Sequence, residues 1–197
     1  KKIIDEASNN SIPSVNLNGL GEPMIHPQLI DMIKYCKMRG IPEVQFHTNA
    51  TIMNDKIAND LIEAGLDNII FSLDSPDKET YENMRVKSSF DSVQKNVRTF
   101  LKVRNSQNKI KPFVRVTMVL TDKTVNQVDK FVSDWTNKVD SITVQDLLFA
   151  ANSDSGGDDD DKFRGGENSR IEINSKSIMK YQKENNIGFK CPYLYQS

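Results

Sequence analysis

The chain has 197 residues, a formal net charge of −1 and a hydrophobic fraction of 37%. It is long enough to bury one sizeable core and too apolar for a disordered chain. Near-neutral charge argues against a dedicated nucleic-acid surface, no apolar run reaches the roughly 18 residues of a membrane span, and no signal peptide is expected.

The first ten residues, Lys1 to Asn10, read as a helix already in progress without a capping residue. With the abrupt end at "CPYLYQS", this suggests an internal piece of a longer protein. Alternation and turn signals predict strands at Val15–Asn18, Val44–Asn49, Asn68–Asp74, Phe113–Thr121 and Ser141–Phe149. Helical patterns fall between them at 27–39, 54–64, 79–105 with a break near Ser88-Ser89, and 124–137. Arg39-Gly40 and Ala64-Gly65 are stop signals, and Asn54 and Ser75-Pro76 look like starts. Strand alternating with helix implies right-handed crossovers and a parallel α/β sheet or barrel. The expected division is a core over 1–150, an acidic Gly-rich loop over 151–170, and a helix with the start of a C-terminal extension over 171–197. Cys36 and Cys191 lie far apart, so no disulfide framework is expected, which fits a reducing cytoplasm.

Strands covered by helices on both faces should be apolar throughout. These are not. Val114, Val116 and Met118 oppose Arg115 and Thr117; Ile69, Phe71 and Leu73 oppose Ser72 and Asp74. Val44 and Phe46 oppose Gln45, His47 and Asn49; Val15 and Leu17 oppose Asn16 and Asn18; Ile142 and Val144 oppose Thr143 and Gln145. Helices can cover the apolar sides. The polar sides must face water or an enclosed ligand, because each unsatisfied buried group costs on the order of 1–3 kcal/mol. An open or partial barrel with a polar lumen satisfies both demands; a flat antiparallel sheet with one wet face is the alternative.

Ligands in such folds lie at the carboxyl ends of the strands. Gly19-Leu20-Gly21-Glu22-Pro23 occupies one such end. Glycine permits close backbone approach, Glu22 can accept from an ammonium, and Pro23 fixes the turn into the next helix. An anion here disfavours a phosphate cradle. Arg115, Thr117 and Ser72 are donors suited to a carboxylate; Asp74, Asn49 and Gln145 suit ribose hydroxyls or an amine. A ligand with ammonium, carboxylate and ribose fits this set. His47 reads equally as a core histidine, His26 as a helix entry, Arg85 as a surface helix arginine ahead of one folded back toward the ligand, and Cys36 as a small buried residue.

"NGLGEPMIHPQL", "FHTNAT", "IIFSLDSPDKETYENMR" and "VRVTMVLT", in this order and spacing over residues 1–150, resemble successive strands of the radical S-adenosylmethionine (radical SAM) enzymes. "CPYLYQS" resembles the opening of the Cys-rich extension of their SPASM subgroup. The resemblance implies a partial (β/α)6 TIM-like barrel whose first strand is missing. It implies S-adenosylmethionine and a [4Fe–4S] cluster as cofactors, with Gly21 and Glu22 at the methionine ammonium and Ser72 and Arg115 at carboxylate or ribose. His47, Asn49, Asp74 and Gln145 would assist. Cys191 would serve an auxiliary [4Fe–4S] cluster. The implied activity is reductive cleavage to a 5′-deoxyadenosyl radical that abstracts hydrogen from substrate, such as a peptide or protein side chain. A flavodoxin or ferredoxin would be the reductant.

The family's Cys-x3-Cys-x2-Cys motif is absent from the chain, as expected if it precedes Lys1. The competing readings are a degenerate, non-catalytic barrel that binds a nucleotide-like ligand or partner, and an aldolase-like phosphate barrel. No late Lys or Gly-rich phosphate loop supports the last.

Overall fold

The computed structural model describes residues 1–146. Five strands alternate with helices: α1 (Lys2–Asn9), β1 (Ser14–Asn16), α2 (Leu29–Met38), β2 (Glu43–Thr48), α3 (Asp55–Glu63), β3 (Asn68–Ser72), α4 (Lys78–Met84), α5 (Phe90–Ser106), β4 (Phe113–Leu120), α6 (Val128–Trp135) and β5 (Ser141–Asp146). Short 3-10 turns at Pro23–Ile25 and Val125–Gln127 lead toward α2 and α6. The acidic loop, the last helix and Cys191 expected from sequence lie outside the described residues.

Local chemistry sets these bounds. Asn54 caps α3 by accepting from Ile57 N at 3.0 Å, and Asp77 caps α4 by accepting from Thr80 N at 2.8 Å. The start expected at Ser75-Pro76 therefore falls two residues early. Gly40 (φ 79°) and Gly65 (φ 84°) end α2 and α3 in the left-handed conformation that glycine adopts without cost. The expected break near Ser88-Ser89 separates α4 from α5, and Phe90 N donates to Glu82 Oε1 across it at 3.0 Å. Strand β3 stops at Ser72 instead of Asp74, because Asp74 itself turns to φ 52°.

All four strand pairs are parallel, and their spatial order repeats chain order, β1-β2-β3-β4-β5. This α/β arrangement is the expected one. Val44, Phe46, Ile69, Phe71, Val114, Val116, Met118 and Val144 join Ile33, Leu61, Val97, Phe100, Phe131 and Trp135 in one core between sheet and helices. Phe71 and Phe100 meet edge to face at 5.6 Å, a favourable aromatic geometry. Deleting a large buried ring of this kind costs about 3–5 kcal/mol.

The opposite face carries the polar rows. Asn16 pairs with Gln45 and Gln45 with Asn68; the next row runs His47, Ile70, Arg115, Ser141; the next Ser72, Thr117, Thr143. Most of these side chains are half-buried or exposed, as a face turned to a wet cavity requires. Ile70 departs from the pattern: it is 1% exposed in the middle of its row, between His47 and Arg115.

Candidate functional site

The carboxyl ends of β1 and β2 are tied together by one carboxylate. Glu22 follows the Gly19-Leu20-Gly21 turn, where Gly21 has φ 98°. Open space surrounds Gly21, so its conformation, and not crowding, demands glycine. Glu22 Oε1 accepts from Thr48 Oγ1 at 2.6 Å and Met24 N at 3.2 Å, and Oε2 accepts from Asn49 N at 2.8 Å. The carboxylate is thus oriented by β2 and half-exposed. Oε1 is saturated by its two donors, whereas Oε2 keeps one acceptor site, since a carboxylate offers about four lone-pair sites.

Asn49 enters this arrangement through its backbone. Its side chain instead accepts from Thr51 N (2.9 Å) and Thr51 Oγ1 (2.6 Å), which shapes the turn leaving β2. Asn18 Oδ1 accepts from His47 N at 2.7 Å and so joins the end of β1 to β2.

Beyond β3 the chain folds over the end of β4. Leu73 N and Asp74 N both donate to Thr117 O, at 2.9 and 3.3 Å. Asp74 is 4% exposed, and its Oδ2 pairs with Arg85 Nε at 2.5 Å. Its Oδ1 is buried with no hydrogen-bond partner among the described residues. A buried carboxylate oxygen left in this state is costly, and it marks where a ligand donor fits. Ser75 Oγ donates to Gln127 Oε1 at 2.7 Å and locks the loop after β3 to the loop after β4.

Arg115 lies one row deeper, beside Ile70. Burial, and then the Arg115 guanidinium, hold the His47 imidazole below its usual range. His47 is therefore neutral at pH 7 and able both to donate and to accept. Gln145 sits on β5 opposite Val119, exposed. The structure thus places Gly21, Glu22, Asn49 and Asp74 beyond the carboxyl ends of β1 to β3, with Glu22 and Asn49 in direct contact, and His47, Ser72, Arg115 and Gln145 along the polar rows of β2 to β5.

One contributor escaped the sequence reading, and another took the conformation it ranked second. Thr48 belongs by alternation to the apolar side and is 2% exposed, yet its hydroxyl holds Glu22. Arg85 is no free surface arginine: it folds back onto Asp74. The Asp74–Arg85 spacing across a capped short helix was the available signal for the second. His26 is the helix entry expected, its Nδ1 accepting from Gln28 N at 3.1 Å, and Cys36 is buried as expected. Among the described residues no cluster of three His, Cys, Asp or Glu side chains is placed to hold a metal ion, and no helix is long and apolar enough to cross a membrane.

The sequence model of the radical SAM superfamily matches residues 1–134. The chain belongs to that superfamily. Among curated relatives, a tungsten-containing aldehyde ferredoxin oxidoreductase cofactor-modifying protein of Pyrococcus furiosus is 28% identical over 150 residues, which is 75% of this chain and 42% of that protein. A probable GTP 3′,8-cyclase of Methanococcus maripaludis is 28% identical over 141 residues, 72% of this chain and 44% of the relative. The radical SAM chain described here thus spans under half the length of these relatives. Among solved structures, Streptococcus suis SuiB superposes with a TM-score of 0.73 at 16% identity, covering 95% of this chain and 40% of that one. SuiB has also been solved with S-adenosylmethionine and with its precursor peptide SuiA. Radical SAM neighbours include a protein with a [4Fe–4S] cluster bound. The fold likeness agrees with the partial TIM-like barrel implied by the sequence motifs.

Proposed function

We propose that the carboxyl end of this sheet binds S-adenosylmethionine and that the whole protein is a radical SAM enzyme. The observation that carries this is the pair of acceptor sites beyond the carboxyl ends of β1 and β3: the oriented Glu22 carboxylate and the buried Asp74 Oδ1. A sulfonium nucleoside amino acid brings donors of both needed kinds, an ammonium for Glu22 and ribose hydroxyls for Asp74. Thr48 and Asn49 N fix Glu22 while Oε2 keeps one acceptor site for the ammonium, and the open backbone at Gly21 admits the methionine chain close to it. Arg85 fixes Asp74 and, with Ser72 and Arg115, offers donors to the carboxylate. His47 and Gln145 complete the polar wall. Held by a cluster-bearing enzyme, this cofactor supplies hydrogen-atom abstraction through a 5′-deoxyadenosyl radical.

The described residues do not provide three ligands for an iron–sulfur cluster, so their part is confined to positioning the nucleoside and shielding it. An auxiliary cluster of the SPASM type would engage Cys191, outside the described residues.

For the substrate we favour a peptide or protein side chain. Leu20 is fully exposed and Ile25 is 70% exposed, and Ile52 and Val86 are exposed as well; they lie in the connections on the carboxyl side of the sheet, Leu20 and Ile25 after β1, Ile52 after β2 and Val86 after α4. Apolar residues at a rim suit a polypeptide better than a triphosphate, and Glu22 and Asp74 disfavour added anionic groups. The GTP-cyclase names among the relatives support the competing nucleotide substrate.

Titration calorimetry of S-adenosylmethionine into the full-length protein tests the binding. Glu22→Gln should weaken it about 10- to 100-fold, the loss expected for one charge-assisted hydrogen bond. Unchanged affinity would overturn the assignment. After anaerobic reconstitution, 5′-deoxyadenosine release stimulated by peptides and not by GTP supports the substrate reading; the reverse refutes it.

A further inference from the structure

The outer helical layer carries a second concave site, remote from the sheet's polar face. Helix α5 presents Asp91, Gln94, Lys95, Arg98, Thr99 and Lys102 at helical spacing to a groove of about 550 Å³. Lys130, Asp134 and Lys138 of α6 and its following turn form the other wall, and Pro76 and Phe90 close the upper end. Five cations face two carboxylates there.

Both carboxylates are engaged. Lys78 Nζ pairs with Asp91 Oδ2 at 2.5 Å, and Lys130 Nζ pairs with Asp134 Oδ2 at 2.7 Å. Lys138 Nζ donates to Asp134 O at 2.5 Å. Among the described residues, Lys95, Arg98 and Lys102 have no ion-pair or hydrogen-bond partner. Spaced i, i+3 and i+7, they lie on one helix face within about 11 Å.

Lysines on an outer helix are usually just solvated. Two further observations single these out. They line a concavity, and this same chain carries the run Asp158-Asp159-Asp160-Asp161 with Asp154 before it. The strands are parallel, so β5 delivers the chain at the end of the sheet where Pro76, Phe90 and the first turn of α6 lie. Eleven residues separate Asp146 from Asp158. Extended, they reach up to about 40 Å, more than the length of α5.

We propose that the groove between α5 and α6 is the docking site of the chain's own acidic segment, Asp154–Phe163. Each exposed ion pair is weak alone. Several pairs closed by a short tether act at an effective concentration near millimolar, which makes a weak contact populated. The attraction falls with salt, since the groups are surface charges within a Debye length of water. This reading is independent of cofactor binding at the strand ends.

The test uses the full chain and a fluorescent peptide spanning Asp154–Phe163, followed by polarisation at about 50 mM salt. If the native segment fills the groove, the peptide should bind the D158N/D159N/D160N/D161N variant at least ten-fold more tightly than the native chain. Adding K95Q/R98Q/K102Q should weaken that binding at least ten-fold. Adding K2Q/K34Q/K123Q, the same charge removed elsewhere, should leave it unchanged. Unaltered circular dichroism and melting temperature check that each variant folds. Equal peptide affinity for the native chain and the Asp-to-Asn variant overturns the proposal in favour of a partner protein's acidic segment. So does the absence of binding to the variant, or equal loss in the two lysine sets.

Discussion

At the amino end of the sheet, Asp67 and Asp140 repeat one device. Each immediately precedes a strand, donates its own N–H to the carbonyl of a neighbouring-strand residue, and accepts that residue's N–H with its carboxylate: Val44 for Asp67, Val114 for Asp140. Cations complete both, Lys37 and Lys111 on Asp67 and Arg104 on Asp140. At the carboxyl end, Glu22 and Asp74 are also anchored, but with capacity left over. Glu22 is half-exposed, and Asp74 Oδ1 has no hydrogen-bond partner among the described residues. Three residues there, Ala50, Asp74 and Gly21, adopt positive φ, a conformation with a cost for non-glycine residues. One end is saturated and stabilises the fold; the other keeps unused acceptor capacity, which the proposed cofactor would fill.

The contrast can be broken most strongly at Asp67. Asp67→Ala removes two lysine partners and strands the buried Val44 N–H, so a loss of about 2–4 kcal/mol is expected in urea unfolding. S-adenosylmethionine affinity should be intact under folding conditions. A loss below about 1 kcal/mol would show that the latch is dispensable.

Asp74→Asn should do the opposite. Asparagine tolerates the left-handed backbone and keeps the shape, so stability should change by less than about 1 kcal/mol. Cofactor affinity should fall about ten-fold on calorimetry, because the amide no longer offers the second carboxylate oxygen. Equal loss of stability and affinity would erase the distinction between the two ends.

Acid sharpens it further. Burial pushes the Asp67 carboxyl upward, but Lys111, Lys37 and the Val44 N–H outweigh this and hold it below the usual carboxylate range. A depressed carboxyl stabilises above its unfolded value and loses that contribution as pH falls through the folded one. The stability gap between native protein and Asp67→Asn should therefore be flat above about pH 5 and shrink below about pH 4. A gap that persists in strong acid would mean the charge is irrelevant.

The smallest effect is expected at His47. Its folded imidazole is held below the usual 6.5, so the unfolded chain takes up the proton first as pH falls. Native protein should lose stability below that value relative to His47→Gln, and parallel melting curves across this range would contradict the placement.

Much of this was legible because strands announce themselves by alternation and helices by caps. The run from Phe113 to Leu120 separates Val114, Val116 and Met118 from Arg115 and Thr117, and one face was enough to require a wet cavity. Gly40, Gly65 and Asn54 act locally, so their meaning survives without coordinates. What escaped depends on pairing. The contacts of Asp67 with Val44 and of Asp140 with Val114 span 23 and 26 residues, and no periodicity encodes them. Thr48 was hidden because its alternation says apolar while its hydroxyl turns to Glu22 at the strand end. Arg85 reads first as a surface residue because a short helix must first fold over the cavity before its guanidinium meets Asp74.

Sheet order that copies chain order has a consequence for assembly. Each strand from β2 onward finds its hydrogen-bonding neighbour already synthesised, one helix earlier in the chain. The fold can therefore grow unit by unit behind the ribosome, with no gap in the sheet waiting for a later segment.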